Sequence, residues 1–120
     1  MRLLYGAALL GVVFSTACGD DGSGTEPPVT GPTASVTVRN NFFDPANVSV
    51  LAGGTVTWTW NSGQVAHNVT FTSGPTPRPQ NSGDQSAGTF QATFQNTGVY
   101  GYTCTLHAGM NGSVTVVASP

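Results

Sequence analysis

The strongest constraint on the fold is a strict alternation of residue types between Thr55 and Trp60. Val56, Trp58 and Trp60 share one parity, and threonines occupy the positions between them. Successive side chains of a β-strand point to opposite faces of the sheet, so this period of two is typical of a strand with one buried face. Residues 55–60 therefore predict a half-buried strand whose large apolar side chains face the core.

The same period recurs along the chain and predicts about seven short strands. The other positions with inward parity are Val36, Val38, Val48, Val50, Val65, His67, Val69, Phe71, Phe90, Ala92, Phe94, Tyr100, Tyr102, Cys104, Val114 and Val116. Turn formers separate these runs, and long helix formers are scarce. The pattern favours an all-β sandwich or barrel. His67 and Cys104 point inward from separate strands, whereas Asn68 has the outward parity of a strand over residues 65–72.

Charged residues are rare in this chain. Only 7% of its 120 residues are charged, none of them is Lys, and the formal net charge is −2. A protein that binds the phosphate backbone of a nucleic acid needs a basic surface, so this composition excludes that class of function. The length allows one domain with a modest core and additional terminal segments.

Residues 1–17 have the composition of a signal peptide. The apolar stretch Leu3–Phe14 is shorter than the roughly 20 residues that span a bilayer as a helix, which indicates an export signal. Small residues then lead to Cys18 in a pattern that resembles the lipobox of bacterial lipoproteins, in which the cysteine is acylated. Ser15 stands where that pattern usually has Leu, and ordinary cleavage after Ala17 is the alternative. We expect an exported protein that is lipid-anchored through Cys18.

Two segments have the composition of exposed chain. Residues 18–33 are rich in Gly, Pro, Ser, Thr and acids, which predicts a flexible linker before a domain at 34–120. Residues 73–86 contain three prolines and predict an exposed loop, to which the sequence assigns no function. A disulfide between Cys18 and Cys104 is disfavoured, because it would join the linker to the core at a buried position.

The side chains that bind soft metals are concentrated in one short segment. Cys104, His107 and Met110 lie within seven residues, and His67 has inward parity on another strand. A thiolate, two imidazoles and a weak thioether suit a mononuclear blue copper site, because sulfur favours Cu(I) and imidazole tolerates both oxidation states. Zinc usually takes four strong ligands and does not use Met. We therefore predict that these four side chains bind one copper ion.

Each of the four residues also has a purely structural interpretation. His67 could be a core histidine with satisfied hydrogen bonds, and His107 could be a surface residue. Cys104 could act as a small hydrophobic side chain, and Met110 could fill a gap in the core. The joint occurrence of all four at these positions favours the metal site.

The domain resembles the cupredoxins, the type 1 blue copper proteins that include plastocyanins and amicyanins. The segments that carry the resemblance are 41–45, 50–58, 67–69, 98–104 and 112–116, together with His107 and Met110. The resemblance extends over roughly residues 34–118. Two residues separate His107 from Met110, as in the short ligand loop of amicyanins, whereas plastocyanins and pseudoazurins have four residues there.

The resemblance implies a Greek-key β-sandwich of eight strands, one of which the pattern does not separate. It also implies the roles of the ligands: imidazole nitrogens of His67 and His107, the thiolate of Cys104, and Met110 as the axial ligand. Asn68 matches a position that braces the two ligand segments and tunes the thiolate by hydrogen bonding. Leu106 and Ala108 flank His107 in what the resemblance implies is an apolar patch through which electrons pass.

These features predict an electron carrier of the bacterial cell envelope rather than an enzyme. No catalytic triad or pair of acids is discernible, and the four ligands leave no open position for a reactant. We expect a monomer, periplasmic or at the cell surface, that meets redox partners such as cytochromes, oxidases or reductases only transiently. The alternatives are storage or delivery of copper for an envelope cuproenzyme, and a metal-free sandwich used for adhesion.

Overall fold

The computed structural model describes residues 30–120, which contain seven strands. The strands are β1 (Gly31–Arg39), β2 (Phe42–Asp44), β3 (Asn47–Trp60), β4 (Thr70–Ser73), β5 (Thr89–Phe94), β6 (Gly98–Thr103) and β7 (Asn111–Val117). The predicted signal peptide, Cys18 and most of the predicted linker lie outside the described residues, and β1 begins within the last residues of that linker. Within residues 30–120 no helix has the length and apolar character needed to cross a bilayer.

β3 is the central strand, and it contains the alternation found at residues 55–60. This second half of β3 pairs in parallel with β1 and antiparallel with β5. The first half, residues 47–51, pairs in parallel with β7. From β7 the sheet continues through β6 to β4, while β2 lies at the other edge beside β1. The predicted all-β sandwich is confirmed, and β3 contributes to both of its layers.

The two halves of β3 meet at Gly53 and Gly54. Gly53 has a φ of 86°, in the left-handed region that glycine adopts without steric cost. A Cβ on Gly54 would lie 2.7 Å from the carbonyl oxygen of Leu51 and 2.8 Å from that of Pro32. The backbones can approach this closely only because residue 54 has no side chain. The glycine pair therefore allows one strand to serve two layers.

The inward side chains of both layers form one core. The Trp58 ring contacts the Tyr102 ring edge to face, with centroids 5.4 Å apart, and so joins β3 to β6. Phe43 of β2 packs against the same tyrosine at 4.7 Å, and Phe71 of β4 lies 6.0 Å from it. Such aromatic pairs contribute about 0.5–1.5 kcal/mol each beyond the burial of their surface. Every position that the alternation assigns to the inward face of these strands is buried or partly buried.

The predicted strand over residues 65–72 is wrong in its first half. β4 begins only at Thr70, and residues 65–69 form a single isolated β-bridge, between His67 and Gln85. Because this segment is not a continuous strand, the period of two does not hold in it. Val65, predicted to face inward, is exposed, whereas Asn68, predicted to face outward, is buried. The 73–86 loop contributes this bridge and not an eighth strand among the described residues.

Candidate metal centre

His67 is held through its backbone. Its N–H donates to the Gln85 carbonyl at 2.9 Å, and its own carbonyl accepts from the Gln85 N–H at 3.0 Å. The indole N–H of Trp60 donates to the same His67 carbonyl at 3.1 Å. These three bonds satisfy the polar backbone groups of a fully buried residue, so they fix the point from which the imidazole projects.

The segment from Cys104 to Met110 is a tight loop between neighbouring strands. β6 and β7 pair up to Thr103 and Asn111, and the Cys104 N–H donates to the Met110 carbonyl at 2.9 Å. The Thr103 hydroxyl donates to the same carbonyl at 3.0 Å. Within the loop, the His107 N–H donates to the Cys104 carbonyl at 3.4 Å. The loop therefore keeps its three predicted ligands close together.

Three atoms that could bind a metal ion lie close together at the end of β6. The Sγ of Cys104 lies 3.8 Å from the Nδ1 of His67 and 3.6 Å from the Nδ1 of His107. All three atoms lie within 4.8 Å of one another, and the two imidazole rings have centroids 4.4 Å apart. Metal bonds of about 2.0 Å to nitrogen and about 2.3 Å to sulfur, as in zinc sites, bridge such separations. One ion could therefore contact all three atoms.

The surroundings of these atoms fit a bound metal ion. His67 is fully buried, and its Nε2 has no hydrogen-bond partner in the described part of the chain. Burial, followed by the neighbouring His107 ring, lowers the pKa of His67, so the neutral ring that binds a metal is favoured. Met110, buried and bonded through its backbone to Cys104, adds a thioether that suits copper. The Nδ1 of His67, and not its Nε2, faces the Cys104 Sγ and is the nitrogen placed to bind a metal ion.

Asn68 connects the two ligand segments. Its backbone N–H donates to the Cys104 Sγ at 3.4 Å. Its side-chain Nδ2 donates to the Thr105 hydroxyl at 2.8 Å, and its Oδ1 accepts from the Thr105 N–H at 3.1 Å. The same amide also donates to the Asp84 carboxylate at 2.9 Å and accepts from the Thr70 hydroxyl at 2.8 Å. One buried side chain thus forms four hydrogen bonds beside the thiol.

The sequence did not identify the partners of Asn68. Thr105 follows Cys104 directly, and this adjacency was a usable signal. Asp84 offers no such signal, because its place beside Asn68 depends on how the 73–86 loop packs. Elsewhere in the ligand loop, Leu106 is 47% exposed and Ala108 is also exposed, with the half-buried His107 between them in the sequence.

The sequence model described as "Copper binding proteins, plastocyanin/azurin family" matches residues 33–117, a span that includes all four predicted ligands. The chain belongs to this family. As a plastocyanin/azurin family member, it has copper as its cofactor, and the structure groups His67, Cys104 and His107, with Met110 bonded through its backbone to Cys104, where a single type 1 site would lie. The predicted cofactor is confirmed.

Individual family members are similar over most of the chain. Amicyanin-alpha of Methylorubrum extorquens is 36% identical over 120 residues, which cover 97% of this chain and 99% of the relative. A solved structure of a purple cupredoxin from Nitrosopumilus maritimus is 31% identical, with a TM-score of 0.60, and the match covers 69% of this chain and 98% of that one. A reduced Cu(I) form of an amicyanin variant is 27% identical, with a TM-score of 0.62 and coverages of 74% and 86%. These similarities confirm the cupredoxin resemblance.

Proposed function

We propose that the protein carries single electrons between redox proteins of the cell envelope and catalyses no reaction of its own. Copper supplies the one-electron Cu(II)/Cu(I) couple. The observation that best supports this proposal is a gradient of burial across the site. His67 is 0% and Cys104 2% exposed, whereas His107 is half-buried and reaches the surface. Because of this gradient, an electron would leave the site through His107, and the four metal ligands leave no open coordination position for a substrate.

The hydrogen bonds around the site support this role, because electron transfer is fast when little must rearrange. The backbone pairing of His67 with Gln85 and the bonds within the 104–110 loop fix the donors independently of oxidation state. The N–H of Asn68 points at the sulfur of Cys104, and its side chain braces the adjoining loop. Such outer contacts orient ligands and tune the metal that they bind.

The sparse charge of the domain supports transient docking through apolar contact. Among residues 30–120, Arg39 and Arg78 balance Asp44 and Asp84, which leaves little charge to steer a partner. Leu106 and Ala108 form an exposed apolar border around His107, and we name these two residues the loop patch. A small patch of this kind suits brief encounters of a monomer with cytochromes, oxidases or reductases.

Location in the periplasm or at the cell surface, with an acyl anchor on Cys18, belongs to the same proposal. It rests on the signal-peptide composition of residues 1–17 and on the small residues before Cys18. Mass spectrometry of the mature N-terminus tests it. An acylated Cys18 is expected, and a mature protein with an unmodified Cys18 would contradict the anchor.

Electron self-exchange tests the carrier function without requiring the natural partner. Mixtures of the Cu(I) and Cu(II) forms are studied by proton NMR line broadening, and Leu106→Lys is compared with Val99→Lys. Val99 is 57% exposed on β6, outside the loop patch, so it provides a matched control. Since a lysine in the loop patch introduces like charges into the contact between two copies, we expect Leu106→Lys to slow exchange about tenfold. Val99→Lys should leave the rate near that of the wild type.

Equal slowing in both variants would contradict exit of the electron through the loop patch. A wild-type protein that binds Cu(I) tightly but shows no exchange would instead support copper storage or delivery. The carrier proposal requires rapid exchange in the wild type together with selective slowing in Leu106→Lys.

A further inference from the structure

We propose that Asp84 is a positioning residue that sets the reduction potential of the copper site. The proposal rests on the proposed function and assigns a role to the 73–86 loop. This loop is bonded along the segment that contains His67. Beyond the bridge at Gln85, the Ser82 N–H donates to the Val69 carbonyl at 3.0 Å, and the Ser82 hydroxyl accepts from the Val69 N–H at 2.8 Å. The loop thus supplies hydrogen bonds that a neighbouring strand would otherwise supply.

The pairing of the loop places Asp84 opposite Asn68. His67 and Gln85 are antiparallel partners, so the residue before Gln85 faces the residue after His67. The Oδ1 of Asp84 accepts from the Nδ2 of Asn68 at 2.9 Å. An ionised carboxylate only accepts hydrogen bonds, so it holds the NH₂ group of the amide toward itself. The Oδ1 of Asn68 is then directed to the Thr105 N–H at 3.1 Å.

Through this amide Asp84 acts on two backbone groups next to the Cys104 side chain. The backbone N–H of Asn68 donates to the Cys104 Sγ, and the Thr105 N–H belongs to the peptide that follows Cys104. The position of both groups depends on the orientation of the Asn68 side chain. The negative charge of Asp84, hydrogen-bonded to the residue that donates to the thiol sulfur, also favours the more positive of the two copper oxidation states. This charge stabilises the oxidised site and so lowers its reduction potential.

Asp84 is also distinguished by the scarcity of charge around it. The carboxylate side chains within residues 30–120 are those of Asp44 and Asp84, and Asp44 pairs with Arg39 at 3.4 Å. Asp84 has no such ion pair in the described residues, and its hydrogen-bonded partner is the amide beside the thiol. Asp44 therefore provides a matched control of the same residue type on the same domain.

The test compares Asp84→Asn and Asp84→Ala with the control Asp44→Asn. Asp84→Asn removes the charge but retains an acceptor oxygen, whereas Asp84→Ala removes both. The first measurement is the reduction potential of the copper-loaded proteins. We expect both Asp84 variants to lower the affinity for Cu(II) relative to Cu(I) about tenfold, which is a rise of about 59 mV for a one-electron couple. Asp44→Asn should leave the potential unchanged.

The second measurement is hydrogen exchange of the Thr105 amide in the metal-free protein. We expect Asp84→Ala to speed this exchange several-fold, because the Asn68 amide loses the acceptor that orients it. Faster exchange without any change in potential would overturn the proposal, since a merely structural role predicts that result. Potentials of the Asp84 variants that match Asp44→Asn would overturn it as well, and Asp84→Asn alone decides if Asp84→Ala does not fold. A wild-type protein without a reversible couple would refute the proposed function instead.

Discussion

Replacement of Asn68 by Ala in the metal-free protein should lower the free energy of unfolding by about 3 kcal/mol. The Asn68 side chain forms four hydrogen bonds, with Asp84, Thr70 and twice with Thr105. A typical bond contributes roughly 1 kcal/mol net, which gives about 4 kcal/mol for four independent bonds. Asp84 and Thr105 are exposed and their groups can regain water when the amide is removed, so the loss is smaller than this sum, about 3 kcal/mol.

Urea unfolding followed by tryptophan fluorescence measures this loss, with the slope of the transition as a check that the same surface is exposed. The matched control is Asn47→Ala. The Asn47 side chain accepts one hydrogen bond from Ser113 at 2.7 Å on the exposed surface, so its loss should cost no more than about 1 kcal/mol. If Asn68→Ala destabilises the protein no more than Asn47→Ala does, the four bonds do not hold the two ligand segments together.

Three further predictions concern the site and the core beside it. Met110→Leu should retain copper but raise the reduction potential on the order of 60 mV, because loss of a sulfur donor that can stabilise Cu(II) favours Cu(I). A redox titration that gives a lower potential for this variant would contradict the role of Met110 as axial ligand. Because the pKa of His67 is lowered in the fold, the unfolded chain takes up the proton first, so the metal-free protein should lose stability as the pH falls below the ordinary value of 6.5. A urea midpoint that stays constant from about pH 7 to about pH 5.5 would refute this. Gly112→Ala should lower the free energy of unfolding, measured in urea, by about 1–3 kcal/mol, since a Cβ there would lie 2.5 Å from the Tyr102 hydroxyl oxygen. The control Gly31→Ala should be nearly neutral, because a Cβ at residue 31 would have no neighbouring atom within 4 Å.

The parity of side chains was sufficient to predict strands at β1, β3, β5, β6 and β7 and the core residues on them, but it did not predict β2 and placed the start of β4 too early. Val56, Trp58 and Trp60 face inward because β3 is paired on both sides along residues 55–59, which enforces the pleat. Cys104 follows the same rule one residue beyond β6. The metal site could also be predicted from the sequence, because the chain contains few His, Cys and Met residues and four of them occur at these positions.

The segment around Asn68 could not be predicted in the same way. Its partner is the 73–86 loop, and this pairing is a long-range property that local alternation does not contain. Asn68 is therefore buried where parity predicts exposure, and it is paired with an acid that looks like any solvent-exposed loop residue in the sequence. The local pattern gives the positions of the ligands, but the packing of the loop determines what surrounds them.

The visible spectrum of the protein through a full redox cycle tests the central claim most directly. Cu(II) is added to the purified wild type and to Cys104→Ser, and each is then reduced and reoxidised. The account predicts a strong blue or purple charge-transfer band in the wild type that bleaches on reduction and returns on reoxidation, and its absence in Cys104→Ser, because the thiolate is the donor in the transition. A band that survives in Cys104→Ser, or a wild type that never develops one, would contradict the assignment of His67, Cys104, His107 and Met110 as a redox-active copper site.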